Sequence, residues 1–369
     1  MTVFRVEGKG RAVVRAMLAM MRAKGDLNEA LHDAANNYGQ SSRAFGIVKA
    51  MVGAATSESG LSADVRGQQE EFFELGDRRS VLGQMPGLRR VAPRVRTVLN
   101  ASASVGAFVG EGGGIPLIRG DFQPSTIVPL KVASLTVETI EAVRAETVEG
   151  EEQFQSDLIR TTSDAIDIAF LDAANSGTPG VIPAAITNGI TPITVGSGDI
   201  EDIDRAIVTS IATAVIQGGD AKRLCILLNP ILAFFLHNRG GSKYENVGVN
   251  GGDIGGVSVV TSNASPLRVP DLGSSELPTE FKIVVIDPGL IAVTTDGGDF
   301  KASEQGAVEM RDDPGQNAAA AAGRTMVSLW QSNLIALRMI RRIAWKPITP
   351  AAVVLVDGIF PDLPFIPAS

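Results

Sequence analysis

The sequence predicts an α+β fold in which a sheet is flanked by helices. β-branched runs at Val257 to Thr261, Phe281 to Ile286 and Leu290 to Thr295 indicate strands. Asp287-Pro288-Gly289, between the last two runs, is a strong turn signal. Because helical stretches and strands are mixed rather than strictly alternating, a doubly wound fold is less favoured. The 369 residues, 44% of them hydrophobic, suffice for one large domain or two ordinary ones.

Residues 1–76 differ from the rest of the chain because they favour helix and contain few β-branched residues. Apolar side chains recur there at helical spacing, at Val13, Val14, Met17, Leu18 and Met21. Arg11, Arg15 and Arg22 fall on the remaining surface, so the pattern predicts an amphipathic helix. Such a basic helix can lie on a membrane, but docking on a protein partner is the commoner case.

Residues 77–99 are rich in arginine and contain Pro86 and Pro93 with little periodicity. Proline favours extended backbone, also for the residue before it, so Ser80 to Asn100 is predicted to be an extended arm rather than a helix. The arm is either a solvated linker or a surface whose guanidinium groups pair with carboxylates of a neighbouring subunit. Arg89 and Arg90 are its candidate intersubunit contacts.

Residues 100–145 are predicted to form a long β-hairpin. Two β-rich stretches between Phe108 and Glu138 enclose a tip of Gly, Pro and polar residues that contains few apolar side chains. An isolated two-stranded ribbon is marginal in water, so this hairpin is expected to lie on a neighbouring subunit. Glu111 and Arg119 are its candidate contact residues.

Two helices are predicted next. The first, from Glu151 to Ala174, is about 38 Å long at 1.5 Å per residue. The residues predicted to be buried are Phe154, Leu158, Ala165, Ile168, Phe170 and Leu171. The residues predicted to face solvent are Gln155, Asp157, Arg160, Asp164 and Asp167. The second opens at Asp199 to Asp202, where the carboxylates suit cap and dipole roles better than a catalytic pair.

The C-terminal half continues with a buried strand at Arg223 to Leu228, after which Asn229 is predicted to cap a short helix that begins at Pro230. Thr325 to Lys346 lacks Gly and Pro, and its apolar spacing fits either a helix or a strand. Val353 to Val356 is predicted as a last strand, before an irregular tail at residues 358–369.

No catalytic, cofactor-binding or metal-binding residues are predicted, and no cofactor. The single cysteine, Cys225, excludes an intrachain disulfide framework and a cysteine-cluster zinc site. The two histidines, His32 and His237, supply no local metal pair or triad. The glycine-rich loops lack the Gly-Lys-Ser/Thr order and following helix of a phosphate cradle. The chain is therefore not expected to be an enzyme.

The net charge of −8 argues against a DNA-binding surface held by Lys and Arg. Acidity suits a container whose inner wall must not hold DNA, and it is equally compatible with an ordinary soluble protein. Nothing resembles a secretory signal, and no apolar run approaches the length of a bilayer span. The protein is expected to fold in a reducing cytoplasm without membrane contact.

Three stretches, in this order, resemble the major capsid proteins of tailed bacteriophages that have the Hong Kong 97 type of fold. Met85-Pro86-Gly87-Leu88-Arg89-Arg90 is similar to the N-terminal arm of that family. Gly110-Glu111-Gly112, Ile115-Pro116, Phe122 and Pro129-Leu130-Lys131-Val132-Ala133 are similar to its extended loop. The helix from Glu151 to Ala174 is similar to its spine helix. The resemblance covers roughly residues 80–357, and it implies that Thr325 to Lys346 returns as long strands.

The resemblance implies a phage or prophage head protein that forms pentamers and hexamers of an icosahedral shell around double-stranded DNA, bound without sequence specificity. It implies a portal, a maturation protease or a scaffold as further partners, and a location in the virion capsid after assembly in the bacterial host cytoplasm. The implied domains are a scaffold-like helical extension that is later removed (1–76), an N-terminal arm (77–99), an extended loop (100–145), a peripheral domain with spine helix (146–195 and 324–357), an axial domain (196–323) and a tail (358–369).

One departure from the family concerns covalent links between subunits, which some relatives form from a lysine near the loop tip and an asparagine of another subunit. The tip here carries Arg119, which cannot form that amide, while Lys131 lies towards the base of the loop. Asn333 is close to the partner position without matching it clearly, so a non-covalent shell is expected. Two alternatives remain: an encapsulin-like compartment for cargo protein, and an unrecognised α+β enzyme.

Overall fold

The computed structural model describes residues 10–56, 72–74, 76–100, 122–144, 148–195, 199–264, 280–309, 326–349 and 352–359. The chain divides into two compact units. The first is built from Met1–Gly76, Val132–Ser163 and Gly297–Arg342, and the second from Asp77–Lys131, Asp164–Asp296 and Ile343–Ser369. Both units contain helices and strands, so the predicted mixed helix-and-sheet class is confirmed.

The three helices that were predicted with bounds, after residue 145, begin and end within three residues of the predicted positions. The helices are α1 (Arg11–Arg22), α2 (Leu27–Tyr38), α3 (Arg43–Thr56), α4 (Val81–Gln84), α5 (Ile140–Arg144), α6 (Val148–Leu171), α7 (Ile200–Ile216) and α8 (Pro230–Arg239). The predicted cap of α8 is confirmed, because the Asn229 side chain accepts a hydrogen bond of 2.7 Å from the backbone N–H of Ile231. Asp26 caps α2 in the same way, through the N–H groups of Asn28 and Glu29.

The strands begin at Arg89 and continue to Ile359. They are β1 (Arg89–Arg90), β2 (Arg96–Asn100), β3 (Phe122–Thr126), β4 (Leu130–Thr139), β5 (Ile193–Thr194), β6 (Cys225–Leu228), β7 (Gly252–Ile254), β8 (Val257–Thr261), β9 (Glu280–Ile286), β10 (Ile291–Ser303), β11 (Ala307–Glu309), β12 (Met326–Ser328), β13 (Leu334–Pro347) and β14 (Val353–Ile359). β2 and β3 pair antiparallel, and residues 101–121 between them lie outside the described part of the chain.

The core of the first unit is built around α1. Nine of the twelve residues of α1 are buried. They share one hydrophobic cluster with α2 and α3 and with Ile140, Leu158, Phe300 and Leu337. Gly25, just after α1, has φ 88°, and a Cβ there would lie 2.4 Å from the carbonyl oxygen of Ala302. The N-terminal helices are therefore packed as part of the folded unit.

The predicted exposed basic side of α1 is wrong at Arg22, whose side chain is only 16% exposed. Its guanidinium group donates to Asp33 Oδ2 at 3.2 Å, to the Tyr38 hydroxyl at 3.0 Å and to the carbonyl oxygen of Val143 at 3.4 Å. The charge is largely shielded from solvent because α2 and α5 cover this side of α1 and satisfy guanidinium donors. The apolar face of α1 is buried in the core of the first unit, whereas the membrane alternative needs that face to be exposed.

The long predicted helix is confirmed as α6, with both ends three residues earlier than expected. At 24 residues it is about 36 Å long. The predicted faces are wrong at three positions, because Ala165 and Ile168 are exposed while Asp167 is buried. The faces of α6 were assigned from the polarity of each residue alone. Polarity cannot show that Asp167 is buried, because its carboxylate accepts hydrogen bonds from donors far away in the sequence.

The core of the second unit is a six-stranded sheet in the order β5-β14-β9-β6-β8-β7. The pairs β5–β14 and β6–β8 are parallel and the others are antiparallel. β6 is buried along its whole length, as its continuous apolar sequence predicts. α7 and α8 pack with alternate residues of β6, β9 and β14 in one hydrophobic cluster, so both helices cover the same face of the sheet.

A second sheet has four strands in the order β1-β10-β13-β4. The strand alternative for Thr325 to Lys346 is correct, because this stretch forms β12 and β13 with a turn between them. Trp330 lies in that turn and is exposed. β11 and β12 form a two-stranded antiparallel sheet of their own.

The prediction of extended backbone from Ser80 to Asn100 holds for β1 and β2 but is wrong at α4. Ser80 caps this short helix by accepting a hydrogen bond of 3.2 Å from the N–H of Leu82. Val81 and Leu82 are buried, so the helical turn also places apolar side chains in the core of the second unit. Pro86 restricts only the residue directly before it, Met85, which is extended with φ −70° and ψ 124°, so the proline does not oppose a helix that ends at Gln84.

Candidate assembly site

The arginine-bearing strand β1 follows a segment that is fixed by a buried carboxylate. Asp167 of α6 accepts hydrogen bonds from the Ser80 hydroxyl at 2.5 Å and from the N–H of Val81 at 3.0 Å. All three groups are buried. A hydrogen bond to a charged acceptor in a buried setting is among the stronger ones in proteins. The start of the arm is therefore held firmly to the second unit.

Gly87 sets the direction of the chain as it enters β1. Its φ of 80° lies in the left-handed region, which other residues adopt only at a cost. The adjoining side chain is Arg223, whose Cδ would lie 3.6 Å from a Cβ at Gly87. Arg223 is fixed in turn by Asp287, which accepts a hydrogen bond of 3.2 Å from its Nη2 atom.

Asp287 is a well-satisfied carboxylate of this region, and its side chain is only 1% exposed. Besides Arg223 it accepts from the N–H of Asp220 at 2.8 Å and from the N–H of Gly289 at 2.9 Å. The predicted Asp-Pro-Gly turn is thus confirmed, and its carboxylate also ties the loop before β6 to the turn before β10.

Strand β1 places Arg89 and Arg90 on the edge of the four-stranded sheet, parallel to Ala292 and Val293 of β10. The pairing continues with a backbone hydrogen bond of 2.9 Å from Val91 to Val293. The Arg90 side chain is 66% exposed, and its Nη1 atom lies 3.8 Å from Asp77 Oδ2. An exposed pair of this kind contributes about 0–1 kcal/mol.

Arg94 extends the same basic surface beyond β1. Its Nη2 atom lies 2.9 Å from Asp296 Oδ2, and most of the side chain remains exposed. The backbone at Arg94 has φ 58°, and its N–H donates to the carbonyl oxygen of Ile127 at 3.1 Å. Because a guanidinium group has five N–H donors, single contacts leave donors of Arg90 and Arg94 available to another molecule.

A shallow depression adjoins Arg90. It is apolar apart from Asp77, Arg90 and Thr295, and the remaining lining residues are Leu82, Leu88, Val91, Val293 and Ile343. An exposed guanidinium beside an apolar surface can bind a carboxylate and an apolar side chain of a partner together. The arrangement suits a protein contact.

Of the predicted contact residues, the structure brings Arg89 and Arg90 together on β1. Glu111 and Arg119 lie outside the described residues. Sequence reasoning missed Asp167 and Asp287 as the groups that fix the surroundings of β1. The Asp-Pro-Gly motif was a usable signal for Asp287, whereas Asp167 carried no local signal because its partners lie 86 and 87 residues earlier.

The carboxylates at the start of α7 lie where they were predicted, with Glu201 and Asp202 in the first turn, and the prediction is wrong only for the capping hydrogen bond. Asp199 is at the N-cap, but its side chain makes no capping hydrogen bond. Asp202 pairs with Arg205, and Asp204 accepts from Lys243 at 2.8 Å and from the Tyr244 hydroxyl at 2.9 Å. The hydrogen bond from Lys243 lowers the pKa of Asp204, while burial and the neighbouring carboxylate raise the pKa of Tyr244.

Cys225 is buried in β6, and burial raises the pKa of its thiol to about 12. In the described part of the chain, no three His, Cys, Asp or Glu side chains are grouped so that they could hold a metal ion. None of the helices in that part has the length and apolar character of a membrane span.

Comparison with known proteins places the chain near phage capsid proteins. No family model matches it. The "Capsid polyprotein" of Pseudomonas phage PAJU2 is 28% identical over 329 residues, which cover 85% of this chain and 48% of that protein. The chain thus spans about half the length of this relative. The "Probable major capsid protein gp17" of Mycobacterium phage D29 is 25% identical over 282 residues, covering 74% of this chain and 82% of that protein.

The corresponding protein of Mycobacterium phage L5 is 24% identical over 285 residues. Among solved structures, a chain of Mycobacterium phage Ogopogo is 18% identical with a TM-score of 0.49, covering 76% of this chain and 92% of that chain. The capsid of an empty GTA particle is 11% identical with a TM-score of 0.44, covering 74% and 88%. The resemblance to tailed-phage major capsid proteins is confirmed by the names of the sequence relatives.

Proposed function

We propose that this chain is a major capsid protein of a tailed phage or prophage, which assembles with copies of itself into pentamers and hexamers of an icosahedral shell. The observation that carries the proposal is the 28% identity to a phage capsid polyprotein across 85% of the chain. Two further relatives named as major capsid proteins agree with it. The protein would be located in the virion capsid, after assembly in the bacterial host cytoplasm.

The elements support a Hong Kong 97 type of subunit. We assign the arm to residues 77–99, the extended loop to 100–145, and the peripheral domain with α6 as spine helix to 146–195 and 324–357. We assign an axial domain to 196–323, which holds β6 to β9 of the six-stranded sheet, whereas β5 and most of β14 fall in the ranges of the peripheral domain. We assign the tail to residues 358–369, the first two of which still belong to β14. The antiparallel pair of β2 and β3 agrees with a loop that leaves and returns side by side.

Arg89 and Arg90 of the arm and Glu111 and Arg119 of the loop are the proposed contacts between subunits. Support for the first two is that β1 lies at a sheet edge and keeps Arg90 largely exposed. The shell is proposed to be non-covalent, because Arg119 cannot form an amide link. Asn333 supports this proposal, since its side chain binds Glu141 of its own unit.

The shell would enclose double-stranded DNA without reading its sequence, and a portal and a maturation protease or scaffold would be its further partners. The net charge of −8 agrees with a wall that does not hold DNA. The relatives are named as capsid proteins, which are structural rather than catalytic. They favour this function over an encapsulin-like cargo compartment.

Electron microscopy of the purified full chain, combined with sedimentation velocity, tests the proposal. Closed particles of uniform diameter are expected, together with a sedimentation boundary far above that of a 38.6 kDa monomer. A monomer that stays dispersed at every concentration and salt condition would contradict a shell protein. Particles filled with one co-purifying protein species would support the cargo compartment instead.

A further inference from the structure

Two apolar side chains at the start of α8 are exposed on the side of this helix that the sheet does not cover. Phe234 is 57% exposed although it is aromatic, and Ile231, about one helical turn earlier, is 37% exposed. Leu232 and Leu236 of the same helix pack in the core of the second unit. Ile231 and Phe234 together form the α8 surface, to which an apolar segment can bind.

The end of β14 lies at the same edge of the six-stranded sheet as the start of α8. β5, β14, β6 and β8 are parallel to one another, so their carboxyl ends share one edge. Leu355 of β14 and Leu227 of β6 both pair with Val284 of β9, so they lie at one level, two strand spacings or about 10 Å apart. α8 begins three residues after Leu227, and β14 ends at Ile359, four residues after Leu355.

The residues that follow β14 have a repeat of three in their sequence. Each repeat is an apolar residue, a proline and a third residue: Phe360-Pro361-Asp362, Leu363-Pro364-Phe365 and Ile366-Pro367-Ala368. Proline fixes its own φ at about −65° and biases the residue before it toward extended backbone, so this sequence favours a polyproline II helix. Because that helix has three residues per turn, the first residues of the repeats fall along one edge and the prolines along another.

We propose that residues 360–368 dock on the α8 surface of the same copy as a polyproline II segment. Phe234 supplies the kind of aromatic surface on which such segments bind, and the apolar edge of the segment covers Ile231. At about 3.1 Å per residue the segment spans about 28 Å. The path to the α8 surface crosses two strand spacings, about 10 Å, and the width of a helix, about 10 Å, so the segment is long enough.

The tether at Ile359 favours the copy's own segment over other occupants of the α8 surface. β14 and α8 belong to the same compact unit, so the segment has a high effective concentration at this surface whatever the concentration of the protein. The contact goes beyond the proposed function, because it needs no second copy and forms before any assembly. It keeps an exposed aromatic residue covered in the unassembled subunit.

Photo-crosslinking from the α8 surface tests the contact directly. The photoreactive residue p-benzoylphenylalanine replaces Phe234 in an equal mixture of unlabelled and 15N-labelled full chain, and mass spectrometry identifies the crosslinked peptides. Crosslinks to residues 360–368 of the same labelling are expected. Ile216 is the matched control position, because it is 84% exposed but lies near Asp220, which is bonded to Asp287 at the opposite edge of the sheet. The same residue placed there should give no crosslink to this segment.

Limited proteolysis gives a second readout without a modified residue. Chymotrypsin cleaves after phenylalanine and leucine but not before proline, so Phe365–Ile366 is the bond of the segment that it can cut. Phe234→Ser should make cleavage of this bond about tenfold faster, because the docked population falls. Ile216→Ser should leave the rate unchanged.

Both experiments are read on the unassembled chain, so they are separate from the test of the capsid function. Crosslinks that reach only residues 265–279, only a second copy or no peptide at all would overturn the contact. An unchanged cleavage rate in Phe234→Ser would overturn it as well, and so would an equal increase in Ile216→Ser. Each of these results would leave the proposed function standing.

Discussion

The N-terminal helices and strand β1 both carry arginines, but they hold them in opposite environments. Arg22 of α1 is enclosed by Asp33, Tyr38 and the backbone of Val143, whereas Arg90 of β1 is mostly exposed beside one carboxylate 3.8 Å away. A guanidinium whose donors are satisfied inside one unit stabilises the fold. One whose donors remain in water is available to another copy.

The comparison bears on residues 1–76, for which the family resemblance implies a removable scaffold. That role remains a prediction, and the burial of α1 argues that this part of the chain also completes the hydrophobic core of the first unit. The arm, in contrast, is fixed at its start by Asp167 and then presents side chains to solvent. The predictions below separate a segment that serves the fold from one that serves assembly.

The largest effect is expected from deleting residues 1–56. Loss of α1–α3 would expose Phe300, Leu337 and Met339 of the first unit to water, so the truncated chain should be insoluble or lack a cooperative thermal transition. Circular dichroism during heating measures this. A truncated chain that folds and differs only in particle size or yield would instead support the scaffold role.

Leu18→Ala should destabilise the subunit by about 2–5 kcal/mol, because Leu18 is fully enclosed and the substitution leaves a cavity. Denaturant unfolding of the unassembled protein measures the change. Asn36→Ala is the matched control on the exposed side of α2 and should stay within about 0.5 kcal/mol. Equal effects of the two substitutions would show that α1 contributes little to the core.

Asp167→Ala should destabilise by about 1–3 kcal/mol, since the buried Ser80 hydroxyl and the Val81 N–H lose their acceptor. The exchange rate of backbone amide hydrogens should rise at residues 80–85, where the arm leaves α4. Asp164→Ala, at an exposed position of the same helix, is the control and should leave both quantities unchanged. Protection at residues 80–85 that survives Asp167→Ala would mean that other contacts hold the arm.

The smallest effect on stability is expected from Arg89→Glu, Arg90→Glu. The exposed pair of Arg90 with Asp77 contributes about 0–1 kcal/mol, and Arg89 is half-buried on the same edge strand, so the free energy of unfolding should change less than in the core variants. Particle yield, measured by sedimentation, should collapse because a shell repeats the contact many times. Lys222→Glu, another exposed cation, should leave the yield unchanged. Intact shells from the arm variant would remove these arginines from assembly, and an unfolded variant would assign them to the fold.

Local signals predicted the element types well. Asn229 before Pro230, the apolar run of β6 and the Asp-Pro-Gly turn each depend on neighbours within a few residues, and the structure contains all three. Arg22 was misjudged because its partners Asp33, Tyr38 and Val143 lie on other helices, 11, 16 and 121 residues away, and Asp167 because Ser80 is 87 residues away. Periodicity cannot show that a charged side chain has found a distant partner.

The candidate site was predictable in part. The Arg89-Arg90 pair was visible in the sequence as a cluster of charge, but its position on a sheet edge depends on pairing with Ala292 and Val293, about two hundred residues later. The exposed apolar residues of α7 and α8 could not be predicted for a related reason. Only the packing of both helices on one sheet face shows which of their apolar residues remain exposed.

A three-dimensional reconstruction of particles formed by the full chain, at a resolution that traces side chains, tests the central claim most directly. The account predicts a closed icosahedral shell in which α1 stays in the core of the first unit and β1 faces a neighbouring copy. Absence of closed particles would contradict the capsid function. A shell in which Arg89 and Arg90 contact only their own chain would contradict the assembly site.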